Sequence, residues 1–207
     1  MSRWCLFFGG LVLLVCLSSA ASAQSELVLS RTAVAGGATY VGVLATDSRA
    51  VDLDDLRGPG AALDATFGRA SVGAAVSVFE TETIVSVSGG YHLARDLAAQ
   101  RVTTLGATAQ STDGKFDAIS VLLSHAQRVA GRPGIAVIPS VGAGVVVPLE
   151  GGVDQNVALV ATGSVTLLAG RGPVRGFLTT SFALGRGPVD SESVGVSLGL
   201  ALSLVQP

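Results

Sequence analysis

The stretch "VGVSLGLALSLV", residues 194–205, alternates without a break. Its even positions, Val194 through Leu204, are large aliphatics, while Gly195, Ser197, Gly199, Ala201 and Ser203 fill the odd ones. A period of two is that of a β-strand, whose successive side chains point to opposite faces. One face is therefore greasy, and the other carries nothing larger than alanine or serine. A water-facing side would normally carry Lys, Glu, Thr and Gln. The pattern fits a strand whose aliphatic side meets lipid tails and whose small side leaves room in an interior.

The same alternation recurs upstream. With turn residues as punctuation, it places about ten strands near 35–45, 60–67, 71–79, 83–93, 97–110, 116–129, 135–149, 157–169, 174–184 and 194–205. Several have about 10 residues, the length that a tilted membrane-crossing strand needs. Residues 24–34 read either as a further strand or as a lead segment. The expected fold class is all-β: a closed antiparallel transmembrane β-barrel of about ten strands, with eight as the alternative. A second architecture is an exported soluble β-sandwich, in which the aliphatic faces would form a dry core and the small faces would meet solvent.

The first residues have the layout of a secretory signal peptide: Arg3, an apolar run over 6–17, then Ser18, Ser19 and Ala21-Ser22-Ala23. Cleavage is expected after Ala23, which divides the chain into a signal peptide, 1–23, and a barrel domain, 24–207. Cys16 follows Val15 rather than the small residue that lipoprotein processing prefers. Cys5 and Cys16 both fall in the segment expected to be removed, so the mature chain has no thiol, disulfide or cysteine metal site. Lys115 is its one lysine, and no basic run suggests nucleic acid.

Charge separates the connections into two sets. The turns 68–70, 94–96, 130–133 and 170–173 are short, and they carry Arg69, Arg95, Arg132 and Arg171. The opposite set holds eleven acids, Asp47, Asp52, Asp54, Asp55, Glu80, Glu82, Asp113, Glu150, Asp154, Asp190 and Glu192, against Arg49, Arg57, Lys115 and Arg186. It also includes the longest connection, 46–59. Short turns at one rim and longer loops at the other are the pattern of an outer-membrane barrel.

At this point the chain resembles the small outer-membrane β-barrel proteins of bacteria, porin-like or like the OmpA and OmpW barrel domains. The resemblance spans nearly all of the mature sequence and rests on "GGYHLARDLAAQ" at 89–100, "PSVGAGVVVPL" at 139–149 and the terminal strand. It implies a bacterial outer-membrane location, membrane lipid as surroundings and the barrel-assembly machinery as a partner. In that family the last strand usually ends in an aromatic residue; this chain ends Val205-Gln206-Pro207. Aromatics of the expected mature chain are few: Tyr40, Tyr91, Phe67, Phe79, Phe116, Phe177 and Phe182.

Chemistry is sparse. An enzyme of this architecture would build its site from His92 or His125, the two histidines. Both fall toward the arginine-bearing turns, whereas resembling enzymes work at the other rim. No catalytic, cofactor-binding or metal-binding residue is therefore expected, and no cofactor. Asp64 is the one mid-strand carboxylate; it either lines a lumen or is satisfied by neighbouring hydroxyls. Arg101 and Arg175 are candidates to line the interior near the basic rim. Asp52, Asp54, Asp55, Asp190 and Glu192 form an expected acidic surface on the outer loops, and the first three lack the spacing of a calcium loop. "GAGVVV" and "GRGPV" lead into no helix with Lys-Ser/Thr, so they are not phosphate loops. The expected role is a structural membrane protein or a narrow porin-like conduit for small solutes, with an exported soluble binding protein as the alternative and an outer-membrane hydrolase as the weakest reading. The sequence names no solute and sets no oligomeric state.

Overall fold

The computed structural model describes residues 39–50, 56–129, 134–149, 157–186 and 191–203. These contain ten strands and no helix: β1 (Thr39–Ala50), β2 (Leu56–Phe67), β3 (Ala70–Val78), β4 (Thr83–Asp96), β5 (Arg101–Thr112), β6 (Lys115–Gln127), β7 (Ile135–Pro148), β8 (Ala158–Ala169), β9 (Val174–Arg186) and β10 (Ser191–Ser203). Consecutive strands pair antiparallel. β1 also pairs with β10, from Tyr40 opposite Ser203 to Ala50 opposite Ser193, which makes the order of pairings a ring. Residues 1–23, expected from the sequence to be a signal peptide, the 24–34 segment and residues 204–207 lie outside the described residues.

Two connections differ from the sequence expectation. The turn placed at 94–96 falls at 97–100, because β4 runs on to Asp96 and absorbs a bulge between His92 and Ala94. Asp96 then caps the turn, its Oδ1 accepting from the Ala99 N–H at 2.9 Å, and Gln100 takes a positive φ of 47°. The long connection at 46–59 shrinks to 51–55, since β1 extends to Ala50 and β2 starts at Leu56. Asp47 and Arg57, assigned to that loop by their charge, stand opposite each other in the β1–β2 register.

A second bulge, between Gln110 and Ser111, leaves Asp117 as an extra residue of β6. The consequence is local: Asp117 and Ala118 are both buried, where strict alternation would turn one of them out.

Elsewhere the two faces are kept apart. On β10, Val194, Val196, Leu198, Leu200 and Leu202 are exposed, while Gly195, Ser197 and Ala201 are buried. Leu200 is 56% exposed and its neighbour Ala201 1%. On β9 Leu178, Phe182 and Leu184 point out, while Phe177, Thr179, Ser181 and Ala183 point in. This arrangement reverses that of a soluble sandwich, which buries its aliphatic faces. Phe177 therefore belongs to the interior rather than to an aromatic girdle. On the outer face Phe182 lies across Gly163, its cross-strand partner; a Cβ at 163 would collide with the ring.

Much of the described inward face is buried. One apolar cluster gathers Ala62 of β2 with residues from β5 through β10, among them Val102, Ile138, Leu168, Phe177 and Ala201. Another joins Leu122, Val146, Ala158, Val160 and Ala183. Hydroxyls pair elsewhere on this face: Ser140 Oγ with Ser164 Oγ at 2.6 Å, and Thr166 Oγ1 with Thr179 Oγ1 at 2.8 Å. Both threonines are fully buried.

That pairing is testable. Thr166→Val leaves the Thr179 hydroxyl buried without its partner, which costs about 1–3 kcal/mol. Thr166→Val combined with Thr179→Val removes both polar groups and should cost less than the single change. Urea unfolding of the refolded protein in lipid vesicles checks this, and a larger loss in the double variant contradicts the assignment.

Candidate functional site: an inward face between two charged rims

Because the strands are antiparallel, alternate connections gather at the same end. Arg69, Arg95, Arg101, Arg128, Arg171 and Arg175 collect at one rim of the described structure, and Glu80, Glu82, Asp113 and Asp117 at the other, with Lys115 and Arg186. Asp52, Asp54, Asp55 and Asp190 lie outside the described residues. Glu192 pairs with Leu184 in the β10–β9 register, so its backbone belongs to a strand rather than to a loop.

Of the expected lumen-lining residues, Asp64 faces inward and is 5% exposed. Its carboxylate reaches over Gly73, toward Ser88, in space that any β-carbon at 73 would occupy. Beyond it, His92 is wholly buried, its Nδ1 2.9 Å from Thr104 Oγ1, and Ser124 Oγ donates to the Thr104 carbonyl at 3.2 Å. His92 is thus an interior residue, held by β4 and tied to β5. His125 points the other way and bonds Thr103 Oγ1 through Nδ1 at 2.9 Å. The two histidines lie on opposite faces of the sheet. Among the described residues no group of three or more His, Asp or Glu side chains is placed to hold a metal ion.

Arg101 does not line the interior. Val102 takes the inward position, and Arg101 is an exposed side chain paired with Asp96 at 3.1 Å. Its direction follows from the period of β5, in which Val102, Thr104, Thr108 and Gln110 hold the inward positions. Arg175 does face inward, one step from buried Phe177 and opposite Ala201.

Two groupings of side chains escape any reading of the sequence. At the acidic rim the β3–β4 connection meets the β5–β6 hairpin. Thr83 N–H donates to Asp113 Oδ1 at 2.9 Å, and Asp117 Oδ2 accepts from Thr112 Oγ1 and, at 3.4 Å, from Gln110 Nε2. Glu82 Oε1 and Asp117 Oδ1 are buried there without hydrogen-bond partners. Burial, and then the charges of Asp113 and Asp117, push the Glu82 carboxyl above its ordinary value of 4.5. The second grouping is at the basic rim, where Arg128, Arg171 and Arg175 line one hollow. The β4–β5 pairing and the Asp117 bulge bring the first together, and the meeting of two distant turns the second.

No family profile and no curated protein matches the chain. Among solved structures it is similar to Neisserial surface protein A, at 10% identity and a TM-score of 0.39, over 80% of this chain and 97% of that one. It is similar to the KdgM porin at 9% identity and a TM-score of 0.40, over 79% and 99%. A de novo designed transmembrane β-barrel aligns at 12% identity and a TM-score of 0.32, over 81% and 96%.

The Glu82 environment sets a pH dependence. With its folded value raised, the folded chain holds a proton on Glu82 that the unfolded chain has released, so stability falls as pH rises from about 4.5 through the raised value. Glu82→Gln removes that dependence. The variant should be more stable than the parent at pH 7, with the gap closing as the pH drops below 4.5. A gap that widens in acid contradicts the assignment; thermal unfolding across pH measures it.

Proposed function

We propose that this chain is a non-enzymatic β-barrel protein of the bacterial outer membrane with a structural role. Residues 1–23 are the signal peptide that exports it, and 24–207 form a closed ten-stranded barrel, set into the membrane by the barrel-assembly machinery. The observation that carries the reading is the outward aliphatic face, such as Leu198 and Leu200 of β10, exposed along strands whose inward residues are buried. In water so large a continuous apolar surface would be a liability; in a bilayer it is solvated by lipid tails.

The buried inward face favours a structural role over the porin-like conduit. A lumen wide enough for water would leave its lining accessible, yet Thr166, Thr179 and Ala183 have no exposure and Ala201 has 1%. Small side chains here suit close packing along the inner wall more than the lining of an open channel. The acidic rim is proposed to face outward and the basic rim, with its short turns, the periplasm.

Labels at 198, 200 and 202 should be quenched by lipid-borne quencher in vesicles, and labels at 197, 199 and 201 should not. Loss of that alternation ends the membrane reading. In planar bilayers the protein should show no steady conductance. Regular conductance steps, abolished by bulky substitution at Ala201, would favour the conduit.

A further inference from the structure

At the basic rim the segment entering β7 meets the β8–β9 turn, where Gly170 N–H donates to the Gly134 carbonyl at 2.8 Å. The hollow beside this contact has a volume of about 230 Å³. Its apolar floor is Ile135, Ala136 and Leu168, and Arg128, Arg171 and Arg175 stand over it. Arg171 lies close across Gly134, where a β-carbon would come within 3.2 Å of its Cγ. Gly172 has a φ of 82°, a conformation that keeps this stretch of turn free of a side chain.

None of the three guanidiniums forms an ion pair or hydrogen bond with a described residue. The contrast with the next hollow along the rim is direct, since there Arg101 is neutralised by Asp96. Arg175 Nε is buried without an acceptor. A charged donor withdrawn from water and left unmatched is costly, and an anionic oxygen brought to it offsets that cost. Three planar cations around a space of this size match a group with several anionic oxygens and little bulk.

We infer that Arg128, Arg171 and Arg175 form a binding site for a phosphoryl group, either the headgroup of an anionic phospholipid or a phosphate free in solution. Guanidinium forks pair with phosphate oxygens two at a time, whereas the apolar floor gives a sugar nothing to bond. The site rests on the arrangement of the two turns and not on the membrane reading; only the lipid source requires a bilayer.

Two measurements on the refolded full barrel test it, one in neutral detergent with inorganic phosphate, followed by phosphorus NMR. The other uses phosphatidylcholine nanodiscs containing phosphatidylglycerol, followed by native mass spectrometry of retained lipid. Saturable binding is expected in at least one arm, and the arm identifies the source. Arg171→Gln with Arg175→Gln should weaken it at least tenfold, while Arg69→Gln, on the same rim but outside the hollow, should leave it unchanged. If the Arg175 variant does not fold, Arg171→Gln with Arg128→Gln carries the same expectation. No saturable binding in either arm, binding indifferent to the hollow's arginines, or equal loss on Arg69→Gln would each overturn the assignment, the last by showing a diffuse basic rim instead of a site. Failure of the lipid arm alone leaves the phosphate site standing, and survival of both arms does not depend on the proposed structural role.

Discussion

A strand at the edge of a sheet carries a row of backbone donors and acceptors with nothing to bond. In water such an edge invites aggregation; in hydrocarbon each unmet group costs several kcal/mol. The pairing of β1 with β10 is therefore the interaction on which the remaining structure depends. It uses the first and last described strands, far apart in sequence, and it gives every strand two partners. The terminal alternating segment carries an outward aliphatic face and also pairs with β1, and its polar residues are small ones confined to one side.

Once pairing is circular, the two faces have different problems. The outer one needs only to be apolar, and Val, Leu and Ile serve without close packing among themselves. The inner one buries many side chains, most of them small, and several of its polar atoms are satisfied locally. Ser and Thr do this in pairs across adjacent strands, as Ser140 with Ser164 and Thr166 with Thr179 do. Glycine makes room where a larger group crosses the wall: Gly73 lies under the Asp64 carboxylate, and Gly142 against the Thr162 hydroxyl. Small size on this face serves close packing.

How far the sequence could be read depended on whether alternation was interrupted. At 174–184 and 194–205 nothing breaks the period, and the strands there match the expectation to within a few residues. Asp64 was legible as inward because Leu63 and Phe67 fix the parity of β2. Around 89–112 the reading fails locally. Gly89 and Gly90, a bulge and a mostly apolar turn, Leu97-Ala98-Ala99-Gln100, blur the period, so the turn was placed too early and Arg101 was given the interior position that Val102 holds. Asp47 and Arg57 looked like loop residues because charge is a poor marker of strand ends when opposite charges can stand in register. The small inward residues left a structural wall and a narrow conduit both open, because residue size says how close walls can come, not whether they do. The Glu82 corner and the arginine hollow depend on contacts between separate connections, which no local pattern encodes.

Closure with the aliphatic face outward is most directly tested by crosslinking β1 to β10 in the membrane. The expected mature chain carries no cysteine, so Val43→Cys with Leu200→Cys, paired in the register, introduces one unambiguous pair. In outer-membrane fractions under mild oxidation the account predicts a disulfide within one chain that keeps the protein in its compact form on gels after heating. Val43→Cys with Val194→Cys, out of register, should not crosslink. Crosslinking of the second pair in place of the first, or a Val43–Leu200 disulfide formed only between chains, would contradict the ring.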